Sequence, residues 1–581
     1  MPLTSRTFDQ LINFTRTSAA TFVGSNGLIQ TTPQSVNLLT FTQEFDNGAW
    51  TKAAVTVTAN STTAPDGTST ADTLVETVAT SAHTTLAGAT VPTAATAFSV
   101  YLKKGTGATA PNWVQLYTGG VSTQYANFNL GTGVVGNVAA GSTAAITAIG
   151  NGWYRCVLYF TPATPGAVSA VVAFTNNTDT TTRGLSYAGA TTSDVFVWGA
   201  QLQTGSTATT YTRNFGGLFP PRFDYNPVTL APLGLLIEEQ RTNLFTYSAD
   251  FTNAAWGKAN ITATGDAATA PDGTATADKL EVTATGVGTV GSRSITSVAG
   301  TTAAYSIYVK QGTGATVANG FALRNSTTST NLISGTLNYT TGVWTYTTGS
   351  TGVTVQNAGN GWWRLTLAAS SGITSGDTLT VYYGYVGGTS VTAGDHFFIW
   401  GAQLEVGPFA SSYIPTVVSQ VTRTSDQPTI AAPNFAPWYN SSEGTLVTEY
   451  DVNGINTVSE VVATISDATA NNLFLPFVNS GGSTFINVIS GGVTSANLNA
   501  GLVATNTTIK LATVYRVNDF AASQNGAVPT VDTAGAVPVG ANRLDIGWAA
   551  NYGGLFLNGH LRRLFFYPTR LTNAQLQALS T

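Results

Sequence analysis

Three histidines, one cysteine and 28 acidic residues are what this 581-residue chain offers for acid–base or nucleophilic chemistry. His83, His396 and His560 share no motif spacing, and none sits in an HExxH or related metal pattern, so each reads as an ordinary core or surface histidine. Cys156 follows NGWYR on an expected strand and reads as a small buried hydrophobe rather than a nucleophile. No GxSxG elbow and no GxxxxGK phosphate loop occurs. Glycoside hydrolysis would need only two carboxylates, yet no spacing marks a pair among the acids. The densest charge cluster is Glu238, Glu239 and Arg241. Neighbouring residues of an extended segment point to opposite sides, so these predict ion pairs within or between subunits, not a catalytic dyad. Asp66 and Asp272 lie in PDG turns, where calcium ligation and plain turn chemistry explain them equally well. The expectation is a chain without catalytic residues, cofactor or metal.

Aromatic residues carry the stronger signal, because sugar rings stack on Trp and Tyr while polar neighbours bond to hydroxyls. A long internal repeat sorts them. NLLTFTQEFDNGAWTK from Asn37 returns as NLFTYSADFTNAAWGK from Asn243, APDGTSTADTL from Ala64 as APDGTATADKL from Ala270, FSVYLKKGTGA from Phe98 as YSIYVKQGTGA from Tyr305, NGWYR from Asn151 as NGWWR from Asn360, and VWGAQL from Val197 as IWGAQL from Ile399. Trp50/Trp256, Trp153/Trp362 and Trp198/Trp400 recur in register and read as core packing. Trp113, Trp344, Trp363, Trp438 and Trp548 have no twin, which makes them candidates for a ligand or subunit interface. The glycan-binding set expected from this sorting is Trp113, Trp344, Trp363, Trp548 and Tyr552, the last two in the Gly-rich segment GWAANYGGLF. Trp363 is expected to face away from the core residue Trp362.

The elements that position these residues are β. Charged residues make up 9% of the chain while 43% are hydrophobic, which excludes disorder and long charged helices. In FSVYLK, Phe98, Val100 and Leu102 fall on one face, the period of a half-buried strand. A net charge of −5 without a basic run leaves nucleic acid little to bind. No apolar stretch approaches the roughly 20 residues of a membrane span, and the N-terminus lacks the apolar core of a signal peptide. The order of domains expected is an N-terminal segment 1–36, a β-sandwich 37–214, a Pro-rich docked connector 215–242, a duplicated sandwich 243–420, a linker 421–442 and a third β domain 443–581. The third domain has strand candidates at Thr445, Asn472, Thr508, Arg543 and His560, and ends in one short helix with Thr572 as N-cap and Leu571, Leu576 and Leu579 as its apolar stripe. The fold class is therefore all-β, with two duplicated jelly-roll sandwiches followed by a further sandwich.

FTRTSAATFVGSNGLIQ, PRFDYNPVTLAPLGLLIEEQRTNLF, FTNAAWGK, APDGTATADKL, NGWWR and WGAQLEVGPFASSYIPT closely resemble segments of tailed-bacteriophage tail fibre and head spike fibre proteins. EGTLVTEYDV and FLNGHLRRLFFYPTRLTNAQLQAL resemble the concanavalin A-like, laminin-G-like lectin jelly roll that often closes such chains. The resemblance implies a virion protein, exposed on the tail or capsid, whose N-terminal segment meets other virion proteins, whose sandwiches hold host surface carbohydrate, and which assembles as a homotrimer. A receptor-binding tail fibre, a head fibre or decoration protein with a structural role, and a polysaccharide depolymerase are the functions it leaves open. In that family the GLIQ-type opening runs almost directly into PRFDY, so residues 37–213 look like a sandwich inserted into the N-terminal unit.

Overall fold

The computed structural model describes residues 8–217, 219–286, 288–313, 319–386, 391–431, 434–553 and 555–581. The first seven residues of the expected N-terminal segment and two of the expected linker lie outside that range. The described chain is almost wholly antiparallel β-structure.

Both repeats fold as two-layer sandwiches with the same strand order. In the first, one layer runs Val134–Val138, Tyr125–Asn129, Trp113–Gly120, Gly166–Phe174, Thr84–Val91, Thr51–Ala53, and the other Thr143–Gly150, Trp153–Phe160, Thr96–Lys104, Asp194–Thr204, Ala71–Glu76, Val55–Thr62. The second reproduces this from Trp344–Thr348 to Gly257–Ala259 in one layer and from Val353–Asn357 to Ile261–Ala268 in the other. Period-two patterning drives the assembly: Phe98, Val100 and Leu102 point into the first core with Trp50, Cys156 and Leu158, and Tyr305, Ile307 and Val309 into the second with Trp256. The PDG turns close as expected, with Gly67 and Gly273 at φ 82° and 83° and the Asp66 and Asp272 carboxylates accepting from the backbone of Thr68 and Thr274 at 2.9 Å.

One irregularity is duplicated with the fold. Strand register slips beside Trp198 in the first copy and beside Trp400 in the second, because Gly199 and Gly401 both adopt φ 61°. A Cβ at either glycine would stand 3.0 Å from the ring of Tyr101 or Tyr308. This bulge re-aims the tryptophan before it, so Trp198 and Trp400 join small clusters outside the main cores.

The third sandwich recruits segments from far upstream. One layer runs Gln427–Ala431, Arg543–Ile546, Ala463–Ser466, Leu473–Val478, Ser483–Ser490, Val493–Leu502. The other runs Arg222–Tyr225, Pro232–Ile237, Gly559–Tyr567, Glu443–Tyr450, Ile509–Arg516, Phe520–Gln524, Thr530–Asp532. Residues 222–237 are thus a hairpin of this sheet, with Leu236 opposite His560. The closing helix Asn573–Leu579 has Thr572 as N-cap in a capping box with Gln575, and buries Leu576. The chain divides into two compact units: residues 18–32 with 221–581, and the first sandwich with the remaining N-terminal residues. The first sandwich therefore interrupts a unit whose two pieces, 18–32 and 221 onward, come together without it.

A buried ion lattice joins those pieces. Arg222, Glu238, Arg423 and Asp426 have side chains at most 2% exposed. Arg222 pairs with Asp426, and with Glu238 at 2.7 Å, while Arg423 reaches Glu238 at 3.5 Å. Arg222 also donates to the Thr21 carbonyl at 2.9 Å and to Ser412 Oγ at 2.8 Å, and the Ser412 N–H donates to Glu238 at 2.7 Å. Burial alone would raise the Glu238 pKa, but Arg423 and Arg222 hold it well below the ordinary carboxylate range. Arg222→Ala leaves two buried carboxylates to Arg423 alone, a change that costs about 3–5 kcal/mol. It should lower the urea midpoint of the unit containing residues 221–581 accordingly; a loss below about 1 kcal/mol would contradict the role given to this lattice.

Candidate functional site

The five aromatic residues singled out by sequence do not converge. Trp113 is half-buried on the outer face of its sheet, its ring against Gly136 and the Asp179 carboxylate. Trp344 and Trp363 are half-buried and pack on the main core of the second sandwich. Trp363 does face away from Trp362, but the core lies on its side: Leu365 and Leu367 of its strand point into the core and Trp363 shares their parity, while Trp362 belongs to the outer cluster. The Trp363 indole N–H donates to the Tyr339 carbonyl at 2.7 Å. Trp438 packs on Phe435 and Phe566 of its own chain.

Trp548 and Tyr552 alone share a loop. The Trp548 indole N–H donates to the Pro428 carbonyl at 2.8 Å, the Asn551 amide to the Thr469 carbonyl at 2.6 Å, and the Ala550 N–H to Asp545 at 3.1 Å. The Trp548 ring lies nearly parallel to Phe556, and the Arg543 guanidinium sits 5.6 Å from its centre. Tyr552 rests on Val461, Leu473 and Leu475. The loop is therefore pinned at several points with both rings half-buried.

The titratable groups are committed to structure. His83 lies buried between the carbonyls of Ala54 and Tyr187, and His396 meets Thr313 Oγ1 at 2.9 Å. Burial pushes the Cys156 thiol up, away from reactivity. Asp72 and Asp278, twins in the repeat, each accept two backbone N–H bonds, and burial raises them to about 7 and about 6. Among the described residues no group of three or more His, Cys, Asp or Glu could hold a metal ion. His560 is clamped between Asp451 at 2.8 Å and Asp224 at 3.0 Å. Burial would lower its pKa, but these carboxylates raise it to about 9. It borders a cavity of about 740 Å³ also lined by Arg562 and Arg364. Arg562 is held by Asp451 at 3.0 Å and Arg364 by the Ser306 hydroxyl at 3.1 Å, so these charges brace the walls.

The satellite clusters of the two sandwiches differ in a way the strand order does not. In the second copy Tyr308, Trp400 and Tyr413 pack edge to face, all at most 5% exposed, beneath Ile29 of the hairpin Thr21–Val23/Ile29–Thr31. The Ile29 N–H donates to the Pro271 carbonyl at 3.1 Å, and Thr21 Oγ1 donates to the Tyr413 carbonyl. In the first copy the twins Tyr101 and Tyr211 are half-exposed around Trp198, and with Pro65, Asp66 and Ile149 they line a pocket of about 320 Å³. Three side chains on this face have diverged: Gln43, Ile149 and Arg213 stand where the second copy has Ala249, Ala358 and Pro415. Sequence reasoning set Trp198 aside as core because it recurs. The missed signal was the unequal company it keeps in the two copies.

No family model matches the chain, and no curated protein does. Among solved structures, the chain is similar to the CBM40 of a Ruminococcus gnavus IT-sialidase bound to alpha2,3 sialyllactose, at 14% identity over 26% of this chain and 89% of that one, TM-score 0.23. It is similar to the CBM22-1–CBM22-2 tandem of Paenibacillus barcinonensis Xyn10C at 12% identity over 64% and 99%, TM-score 0.23. It is also similar to domains LG4-5 of the mouse laminin alpha1 chain at 9% identity over 50% and 89%, TM-score 0.18. The fold assignment stands on the strand order above rather than on these likenesses.

Two outcomes test this description. A histidine whose folded pKa exceeds its unfolded value stabilises fully below about 6.5 and loses that contribution as pH rises through about 9. Wild type should therefore lose about 3 kcal/mol more than His560→Gln between pH 6.5 and 10 in urea titrations; equal slopes would refute the clamp. In the second test, Ile29→Ala should cost about 1–2 kcal/mol by uncovering the second cluster, and Ile149→Ala, 43% exposed at the first, less than about 0.5. Equal costs would show that Ile29 does not cover its cluster.

Proposed function

We propose that the chain is a bacteriophage virion protein, a tail fibre or spike that binds host surface glycan during adsorption without transforming it. The observation that carries the glycan part is the pinned loop bearing Trp548 and Tyr552 on the third sandwich. Two aromatic rings held half-buried lose little freedom when a sugar ring lies on them, so binding energy is not spent on ordering the loop. The virion part rests on the sequence resemblance of motifs that cover most of residues 1–417 to fibre and spike proteins. The N-terminal segment serves as the attachment to other virion proteins, and the chain acts as a homotrimer in which neighbouring subunits protect sheet edges from aggregation.

The test combines location with adsorption. Gold-labelled antibody against the chain should mark the tail of intact particles, and the purified full-length chain should compete with phage for host cells. Trp548→Ala with Tyr552→Ala should weaken that competition at least tenfold, with a cooperative thermal transition retained at a lower midpoint. Label over the capsid with normal adsorption would overturn the receptor-binding role and leave the structural role of a head fibre.

A further inference from the structure

The two sandwiches carry the same aromatic seat, yet only one is filled. In the second copy, Ile29 covers Tyr308, Trp400 and Tyr413, and Ser412 at its rim is committed to Glu238 and Arg222. In the first copy the twin of Ser412, Thr210, is exposed and lines the open pocket with Tyr101 and Tyr211. The fold thus provides a cluster shaped to be covered, and among the described residues no hairpin residue packs on the first copy's cluster as Ile29 does on the second.

What would cover it follows from the residues that diverged. Gln43 is 4% exposed and lines this pocket; its amide interacts with the Tyr211 hydroxyl, while its Oε1 accepts no hydrogen bond of its own. A buried carbonyl oxygen left unmet costs about 1–3 kcal/mol, so the position is unfavourable unless a donor arrives from outside. At the same place the filled copy has Ala249, which asks for nothing. Arg213 is neutralised by Glu44 at 2.9 Å, so the pocket offers no net cation for an anionic ligand. Beside this acceptor the half-buried Tyr101 and Tyr211 rings line the pocket, their centres 6.1 Å apart and planes nearly perpendicular, with the Arg155 guanidinium 5.6 Å from the centre of Tyr101. Aromatic walls, a buried acceptor, the exposed Asp66 carboxylate and a volume of about 320 Å³ suit one sugar ring that offers C–H faces and hydroxyl donors.

We propose that the pocket formed by Gln43, Asp66, Tyr101, Ile149, Trp198 and Tyr211 in the first sandwich is a binding site for a neutral saccharide. The duplicated seat in the second sandwich has been given over to the chain's own N-terminal hairpin. The proposal rests on the glycan-binding reading above and places a further site on a different domain from Trp548.

Two substitutions probe the pocket without disturbing the core. Gln43→Ala installs the residue that the second copy already carries, and Ile149→Trp fills the mouth from an exposed position. The full-length chain is screened against immobilised neutral gluco-, galacto- and manno-oligosaccharides, with thermal melts as the folding control. At least one sugar should bind with an affinity that falls about tenfold or more in both variants and persists in Trp548→Ala. Binding that is lost in Trp548→Ala but unchanged in both pocket variants would overturn the site and leave the glycan-binding function standing. No binding by wild type would remove both. A synthetic peptide of residues 19–32 that binds wild type and is excluded by Ile149→Trp, with no sugar affected by either variant, would assign the face to a protein strand and overturn the saccharide.

Discussion

Four charged side chains sealed from water hold the larger unit together. Arg222 comes from the hairpin after the first sandwich, Glu238 from the end of that hairpin, and Arg423 and Asp426 from the segment leaving the second sandwich. Arg222 also reaches back to the carbonyl of Thr21. A buried lattice of this kind adds less stability than apolar packing of the same volume, but losing any member is costly. Arg222 and Arg423 neutralise Glu238 and Asp426, and Arg222 also binds the Thr21 carbonyl, so residues 18–32, 221–242 and 411–426 are held together whatever is inserted between residues 32 and 221. This explains how a whole sandwich can be inserted at that point while the interrupted unit closes without it.

That closure decides the fate of the duplicated aromatic seats. Because Thr21 is tied to Arg222, the hairpin 21–31 lies over the second sandwich and sets Ile29 on Tyr308, Trp400 and Tyr413. The first sandwich, folded from the same repeat with the same bulge at its tryptophan, keeps its twin cluster half-open. Duplication supplied the scaffold twice, and the ion lattice made the copies unequal. The substitutions follow the packing: small Ala249 and Ala358 under a lid, polar Gln43 and larger Ile149 beside a cluster that, among the described residues, no such lid covers.

Much of the architecture was legible in the text. The repeat, the alternation in FSVYLK, the PDG turns and the capped helix at Thr572 each follow from local rules and appear as expected. Long-range pairings were not legible. Nothing in PRFDYNPVTLAPLGLLIEE says that it joins a sheet with residues 559–567, because strand partners far apart in sequence are chosen by the finished core. The side on which Trp363 packs was misjudged for a related reason: parity was counted from Trp362, taken as core, whereas that strand is covered on both faces and the larger core lies on the other side. The rule that repeated residues are structural also hid Trp198. A residue can be structural in both copies and still form the floor of a pocket in one.

If these sandwiches hold sugar as proposed, the open seat of the first copy is one place where they do so. A crystal structure of the chain soaked with a neutral oligosaccharide selected by the array is the decisive experiment. A sugar ring is expected against Tyr101 and Tyr211 with a hydroxyl donating to Gln43 Oε1, and nothing at Tyr308 and Tyr413 beneath Ile29. A sugar bound elsewhere with the first-copy pocket holding only water would contradict this expectation.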